Sequence, residues 1–243
     1  MIDIAAKDRV FVLTGAGVSA ESGLPTFRGA GGLWRGYRVE DVASPLAWER
    51  DPLLVWQFYS MRRQAHAEKK PNPAHLALAK LEEALGQRLF LCTQNVDRLH
   101  EEAGSRRVVH MHGRLFQSRC DRCSRPPFED EKTYESQVPR CDCGGRIRPH
   151  ICWFGETPFE IERIQQELGR CTVFMAVGTS GVVYPAAAFV AQARGNGMRR
   201  VRTYYVGPEE PANRALFDES FAGKAGELLP GLFDWSQLSA AKI

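Results

Sequence analysis

The chain has 243 residues, long enough for one sizeable domain carrying a smaller insert. Its 44% hydrophobic and 25% charged residues fit a globular fold and exclude disorder, collagen and a membrane protein, and no apolar run approaches bilayer length. A net charge of +3 is too weak to indicate a polyanionic partner, so neither a membrane nor a specific nucleic acid is expected.

Met1 to Arg9 is charged, lacks the apolar run and cleavage site of a signal peptide, and is not Arg-rich like a transit peptide. A cytoplasmic, reduced chain is therefore expected, in which paired cysteines more often mean metal than disulfide. The run Val10 to Thr14 reads as a buried strand that breaks at Gly15-Ala16-Gly17, where a helix opens. From Gly23, Pro25, four glycines between Gly29 and Gly36, Trp34 and Tyr37 describe a functional loop ordered by a ligand.

Asp51-Pro52 is an N-cap and first-turn pair, and Leu53, Trp56, Tyr59 and Leu54, Phe58, Met61 recur at helical spacing up to about Lys70. A second helix is expected from Pro73 to Leu85. Strands follow at Leu89 to Thr93, Val108 to Met111, Thr172 to Val177 and Val201 to Val206, the last preceded by a helix from Pro185 to Ala193. Alternating strands and helices predict an α/β fold with a parallel sheet. Between Arg114 and Pro149 the alternation gives way to a cysteine-, proline- and charge-rich inserted module, and the tail after Ser236 is expected to fray.

Gly15-Ala16-Gly17-Val18-Ser19-Ala20 has the G-x-G-x-x-A form of a dinucleotide fingerprint, placed after a strand and before a helix. Glycines let the backbone approach a pyrophosphate, and the helix start offers free N–H groups. A glycine-rich turn of any α/β protein remains the alternative. No second strand ends in Asp or Glu about twenty residues on, so nucleotide binding is expected and hydride transfer is not. Cys120-x2-Cys123 and Cys141-x-Cys143, 17 residues apart, have zinc-ribbon spacing. Four thiolates close a tetrahedral shell, so one structural Zn2+ is expected. Acidic residues offset the arginines around it, which argues against a nucleic-acid adaptor.

Taken with Glu21-Ser22-Gly23, Pro25-Thr26-Phe27-Arg28, Thr93-Gln94-Asn95-Val96-Asp97, His112-Gly113, Trp153-Phe154-Gly155-Glu156 and Gly178-Thr179-Ser180, the fingerprint resembles the sirtuin signature set, in order and spacing, from about Val10 to Leu232. The resemblance implies one catalytic domain over 1–243. A Rossmann-like part would comprise 10–40, 75–113 and 150–235, with a helical module at 41–74 and a zinc module at 114–149. It further implies NAD-dependent removal of acyl groups from protein lysines, releasing nicotinamide and O-acyl-ADP-ribose. ADP-ribosyl transfer, or NAD hydrolysis, is the alternative end of the same nicotinamide expulsion, and a catalytically idle NAD-sensing module is a third reading. The partners implied are acylated-lysine proteins and NAD, and a monomer is expected.

Residue by residue, the resemblance makes His112 the general base on a ribose hydroxyl, with His110 as the competing histidine on the same strand, and Asn95 its catalytic companion. Gln94, Asn95, Val96 and Asp97 would hold the nicotinamide side. Gly15, Ala16, Gly17, Ala20, Glu21, Thr26, Phe27, Arg28 and Trp34 would surround the phosphates and ribose. Gly178, Thr179, Ser180 and Ala225 would hold the adenosine half. The segment Cys152, Phe154, Gly155, Glu156 would pair with the substrate backbone as an added strand, which tolerates many sequences. Tyr59 and Arg62, three apart on one helix, share a face. With Ala43 they resemble the acyl pocket of the desuccinylase and demalonylase branch, where Arg offers a planar fork to a carboxylate. Two departures stand out: Val206-Gly207 sits where an adenosine-contacting asparagine is usual, and Cys152 where a valine is usual.

Overall fold

The computed structural model describes residues 1–25, 33–34, 37–195 and 200–240. β1 (Val10–Thr14) runs into α1 (Ala16–Ala20), and a short hairpin, β2 (Leu33–Trp34) and β3 (Tyr37–Arg38), leads to α2 (Val39–Val42), α3 (Pro45–Arg50) and α4 (Pro52–His66). Next come α5 (Pro73–Leu85), β4 (Leu89–Thr93), α6 (Leu99–Glu102) and β5 (Val108–His110). An antiparallel sheet of β6 (Gly113–Cys120), β7 (Phe128–Glu129) and β8 (Ile147–Ile151) forms the insert. The chain closes with α7 (Ile161–Arg170), β9 (Val173–Val177), α8 (Phe189–Arg194), β10 (Arg202–Gly207), β11 (Glu219–Ala222), α9 (Ala225–Leu228) and α10 (Trp235–Ala240).

The large sheet is parallel, in the order β11-β10-β9-β1-β4-β5. Its strands are apolar on both faces because both are covered. Phe11 and Leu13 pack with Phe90, Phe174 and Phe189 on one side. Val10 and Val12 pack with Leu78 and Leu81 on the other, the two-residue period of a strand. β1 pairs with β4 on one edge and β9 on the other, so strand order reverses at β1 and a crevice opens at its carboxyl end.

Helices α4 and α5 start where the sequence says they should. Asp51 accepts from Leu54 N ahead of Pro52 in α4, and Asn72 with His75 forms a reciprocal cap on α5.

A third core joins two segments that read as separate modules. Trp48, Trp56 and Tyr59 from α3 and α4 pack on Leu115, Ile147, Ile151 and Trp153 around the insert. Trp56 Nε1 donates to Ile147 O at 2.8 Å. Buried Arg63 donates to the carbonyls of Leu115 and Lys132 and pairs with Asp130 at 3.4 Å. Helical module and zinc module are therefore one packed unit.

Several elements differ from expectation. The insert opens on β6 and closes on β8, whose arginines, Ser118 and Pro149 hide a strand pattern. Amphipathic α7 and edge strand β11 have weak apolar signatures. The expected Pro185 helix is a 3-10 turn, Ala186–Ala188, that continues into α8. The tail past Ser236 is helical, with Leu238 buried.

Gly113 carries a mechanical constraint rather than a chemical one. It sits at φ +86°, and a Cβ would lie 2.0 Å from the His150 carbonyl oxygen where β6 crosses β8. Gly113→Ala is expected to destabilise the fold by about 3 kcal/mol, read as a lowered urea midpoint; an unmoved midpoint would refute the clash.

Candidate active site

A cavity of about 860 Å³ occupies the crevice at the carboxyl ends of β1, β4 and β9 and extends between α4 and the segment after β8. Its floor is glycine by necessity. Gly17 N donates to Gly178 O at 2.8 Å, and a Cβ on Gly15 or Gly17 would come within 2.8 or 2.7 Å of Gly178 backbone. Ala16, Gly178, Thr179 and Ser180 line the same end, where Gln94 Nε2 donates to Thr179 Oγ1 at 3.0 Å. Such a close approach of backbone at Gly15, Gly17 and Gly178 fits a pyrophosphate.

Deeper in, Asn95, Val96 and Asp97 line the wall. Ser19 ties them to the floor: its Oγ donates to Asp97 Oδ2 and accepts from Asn95 Nδ2, each at 3.0 Å. Asn95 Nδ2 also donates to Gly15 O at 3.1 Å, and Asp97 Oδ1 accepts from Leu99 N at 3.2 Å. These two buried side chains are fixed before any ligand arrives.

The two histidines are separated by their partners. His110 spends both nitrogens, Nδ1 on Asn95 O at 2.9 Å and Nε2 on Glu101 at 2.8 Å. His112 lines the cavity, and its Nδ1 meets Gln94 O at 3.0 Å. A carbonyl only accepts, so Nδ1 carries the proton and Nε2 is the basic nitrogen. Burial holds the His112 pKa below its ordinary 6.5, against the opposing pull of the Gln94 carbonyl.

At the far end, Ala43, Tyr59 and Arg62 share the wall with Cys152, Phe154, Gly155 and Glu156. Tyr59 is fully buried and its Oη accepts from Trp153 Nε1 at 3.1 Å, which leaves its own proton to donate. Burial raises its pKa, with Arg62 opposing, so the phenol stays protonated. The Arg62 guanidinium lies 5.7 Å from the Tyr59 ring centroid. Phe154 is half exposed at the rim, and its N–H donates to Ala43 O at 3.1 Å. Glu156 is turned inward: Arg148 holds both its oxygens at 2.7 and 2.9 Å, and Trp153 N donates to it at 2.8 Å. The Cys152 thiol is pushed up to about 11 by burial and then by Glu156, so it is protonated near neutrality and is no activated nucleophile.

The four cysteines of the insert converge. Cys120, Cys123, Cys141 and Cys143 place their sulfurs within 4.8 Å of one another, with 3.5 Å between the sulfurs of Cys120 and Cys143 and 3.9 Å between those of Cys123 and Cys141. A tetrahedron with Zn–S bonds of about 2.3 Å has edges of roughly 3.8 Å, so the set fits Zn2+. Arg122 N and Cys123 N donate to Cys120 Sγ, and a Cβ on Gly145 would lie 2.7 Å from that sulfur. The protein is expected to carry one zinc per chain by elemental analysis. Stripping it with a chelator should unfold the third core, read as lost Trp fluorescence structure; zinc-free protein with unchanged fluorescence would sink that coupling.

Thr26, Phe27, Arg28 and the side chain of Trp34 lie outside the described residues. Ala20, Glu21 and Ala225, expected to hold the cofactor, do not line the cavity; Glu21 Oε1 accepts instead from Gly226 N at 2.9 Å. Sequence reasoning missed Ser19, although it lies inside the fingerprint, because a hydroxyl there gives no spacing signal. It also missed His66 and Tyr205, which line the cavity. Tyr205 stands on β10 beside Val206-Gly207, and its hydroxyl donates to Glu209 O at 2.8 Å.

A Sir2 family profile matches residues 15–185. The chain is 48% identical over 239 residues to the NAD-dependent protein deacylase of Caulobacter vibrioides, across 97% of this chain and 98% of that protein. It is similar to the structure of a Sir2 homologue in complex with NAD, with a TM-score of 0.83 and 40% identity over 97% of this chain and 90% of the other. A Sir2 structure containing a deacetylated p53 peptide and 3'-O-acetyl-ADP-ribose matches with a TM-score of 0.80 and 31% identity over 92% of each chain.

Proposed function

The chain belongs to the Sir2 family, and from that premise we propose that it removes acyl groups from protein lysines with NAD as co-substrate, favouring succinyl and malonyl over acetyl. One observation carries the reading: His112, Asn95 and Asp97 share a single cavity with Tyr59, Arg62 and Ala43. The relatives' printed names and complexes support the NAD-dependent chemistry. The acidic-acyl preference rests on the far wall.

Bound NAD supplies a ribose carbon that the acyl oxygen attacks as nicotinamide leaves, so that the acyl group ends on ADP-ribose. The chain's own residues do the rest. Gly15, Ala16 and Gly17 give the pyrophosphate a backbone cradle, and Gly178, Thr179 and Ser180, braced by Gln94, take the adenosine half. Asn95, Val96 and Asp97, tied down by Ser19, position the nicotinamide and its ribose. By the resemblance, Thr26, Phe27, Arg28 and Trp34 would cover them. His112 accepts a ribose hydroxyl proton at Nε2.

The acyl-lysine enters past Phe154, with its peptide aligned along Cys152 to Gly155; Glu156 serves by fixing Trp153 rather than by touching the peptide. Arg62 and the Tyr59 hydroxyl receive the acyl carboxylate, and small Ala43 leaves room. The zinc ion, held by Cys120, Cys123, Cys141 and Cys143, leaves no coordination site for chemistry and serves the fold. No described helix is long and apolar enough to cross a membrane. Residence in the cytoplasm as a monomer is part of the proposal.

Mass spectrometry of one lysine peptide, carrying either succinyl or acetyl and incubated with and without NAD, tests this. The expected result is NAD-dependent loss of both groups, with succinyl favoured at least about tenfold in kcat/KM. Consumption of NAD with both peptides intact would favour ADP-ribosyl transfer or hydrolysis instead.

A further inference from the structure

Tyr59, Arg62 and His66 occupy positions i, i+3 and i+7 of α4, one stripe of a helix, and all three line the cavity. His66 stands one turn, about 6 Å of helix rise, beyond Arg62. It is 1% exposed, and its Nε2 has no hydrogen-bond partner among the described residues. Its ring stands edge-on to Phe116, with centroids 5.1 Å apart, which fixes the imidazole plane. His110 spends both nitrogens on fixed partners, whereas His100 and His150 each leave a buried Nδ1 without one; His66 differs from these two in that its residue lines the cavity. A buried imidazole nitrogen without one, in the wall of a substrate cavity, calls for a ligand atom.

We propose that His66 is a third polar group of the acyl pocket, a specificity-determining residue that, together with Arg62, receives the terminal carboxylate of a dicarboxylic acyl-lysine. The inference rests on the acyl-carboxylate reading of Tyr59 and Arg62. It places the hydrogen-bonding capacity of the pocket on three successive positions of one helix stripe, so that the carboxylate is gripped from two turns rather than one.

The groups facing His66 set its charge. Asp97 and Glu102 favour the protonated ring, Arg98 and Arg62 oppose it, and burial, the largest influence, keeps the pKa below the ordinary 6.5. Without substrate the ring is neutral near pH 7. A carboxylate arriving beside it favours the imidazolium, so binding of an acidic acyl group draws one proton from solvent to His66. The preference for succinyl over acetyl should therefore grow as pH falls. Protonation of His112 lowers both rates alike and cancels in their ratio.

The experiment compares kcat/KM for succinyl and acetyl forms of one peptide between pH 6 and 8.5, in wild type, His66→Leu and His66→Gln, with nicotinamide inhibition measured alongside. The expected result is a succinyl-to-acetyl ratio that rises towards low pH in wild type. In His66→Leu it should fall on the order of tenfold, the worth of a charge-assisted hydrogen bond, and lose its slope. His66→Gln, which keeps a donor but cannot titrate, should give an intermediate ratio that is flat with pH. A wild-type ratio and slope retained in both variants would overturn the proposal. So would equal losses on both substrates, or a change confined to nicotinamide inhibition, which would put the ring on the cofactor side. A wild type with no succinyl preference at all would instead sink the acyl-carboxylate reading itself.

Discussion

Replacing His112 with alanine is expected to lower NAD-dependent deacylation by roughly 10²–10⁴-fold, the usual contribution of a positioned general base. Of His110 and His112, His112 is the one that lines the cavity, its Nδ1 proton is committed to the Gln94 carbonyl at 3.0 Å, and Nε2 is left to accept a proton. Burial lowers its pKa below 6.5, so the neutral, basic form persists further into acid than an exposed histidine would allow. The rate should hold through pH 6.5 and decline only beneath the lowered value. NAD affinity, which rests on the glycine cradle and the Ser19-held pair, should survive the substitution. His110→Ala serves as the contrast. A variant at 110 that loses as much activity while remaining folded, with His112→Ala still active, would reverse the assignment of the two histidines.

Arg62→Met should invert the acyl preference. A guanidinium meeting a carboxylate in a buried pocket contributes on the order of 3 kcal/mol through charge-assisted bonds, so kcat/KM for succinyl should drop roughly 10²-fold. Acetyl, which offers no carboxylate, should keep its rate or improve, because methionine removes the cost of a charge facing an apolar methyl. The neighbouring Arg63 must be left alone: it is buried against Asp130 and two backbone carbonyls, and its loss would be a folding defect. Equal loss on succinyl and acetyl from Arg62→Met would deny Arg62 the role of carboxylate clamp.

The sheet was legible in the sequence because its strands are covered on both faces and so read as unbroken apolar runs, from Val10 to Thr14 and again from Val173 to Val177. The insert's strands were not, since β6 and β8 have cores on one face only and carry Arg119, Arg148 and Pro149 within them. Cysteine spacing announced the metal site without revealing that its sheet shares a core with α3 and α4. That union depends on Trp56 reaching Ile147 O, Arg63 reaching Leu115 O and Trp153 reaching the Tyr59 hydroxyl across long separations, which no local pattern records.

Among the residues that line the cavity, Gly15 and Gly17 were marked by the spacing of the fingerprint and His112 by the family resemblance. Ser19 and His66 were not, because one is a small hydroxyl within a glycine motif and the other occupies an ordinary interior position of an amphipathic helix. Glu156 was placed in the substrate-pairing segment by resemblance; it lines the cavity, and its carboxylate is held by Arg148.

The shared core of α3, α4 and the insert has a consequence for how such an enzyme can diversify. The groups proposed to recognise the acyl chain, Tyr59 and Arg62, stand on a body whose packing is separate from the two cores flanking the parallel sheet. Substitutions that enlarge, shorten or recharge that chamber can accumulate there without disturbing the nucleotide crevice. Selectivity for the modification and commitment to the co-substrate can thus drift as nearly independent traits within one chain.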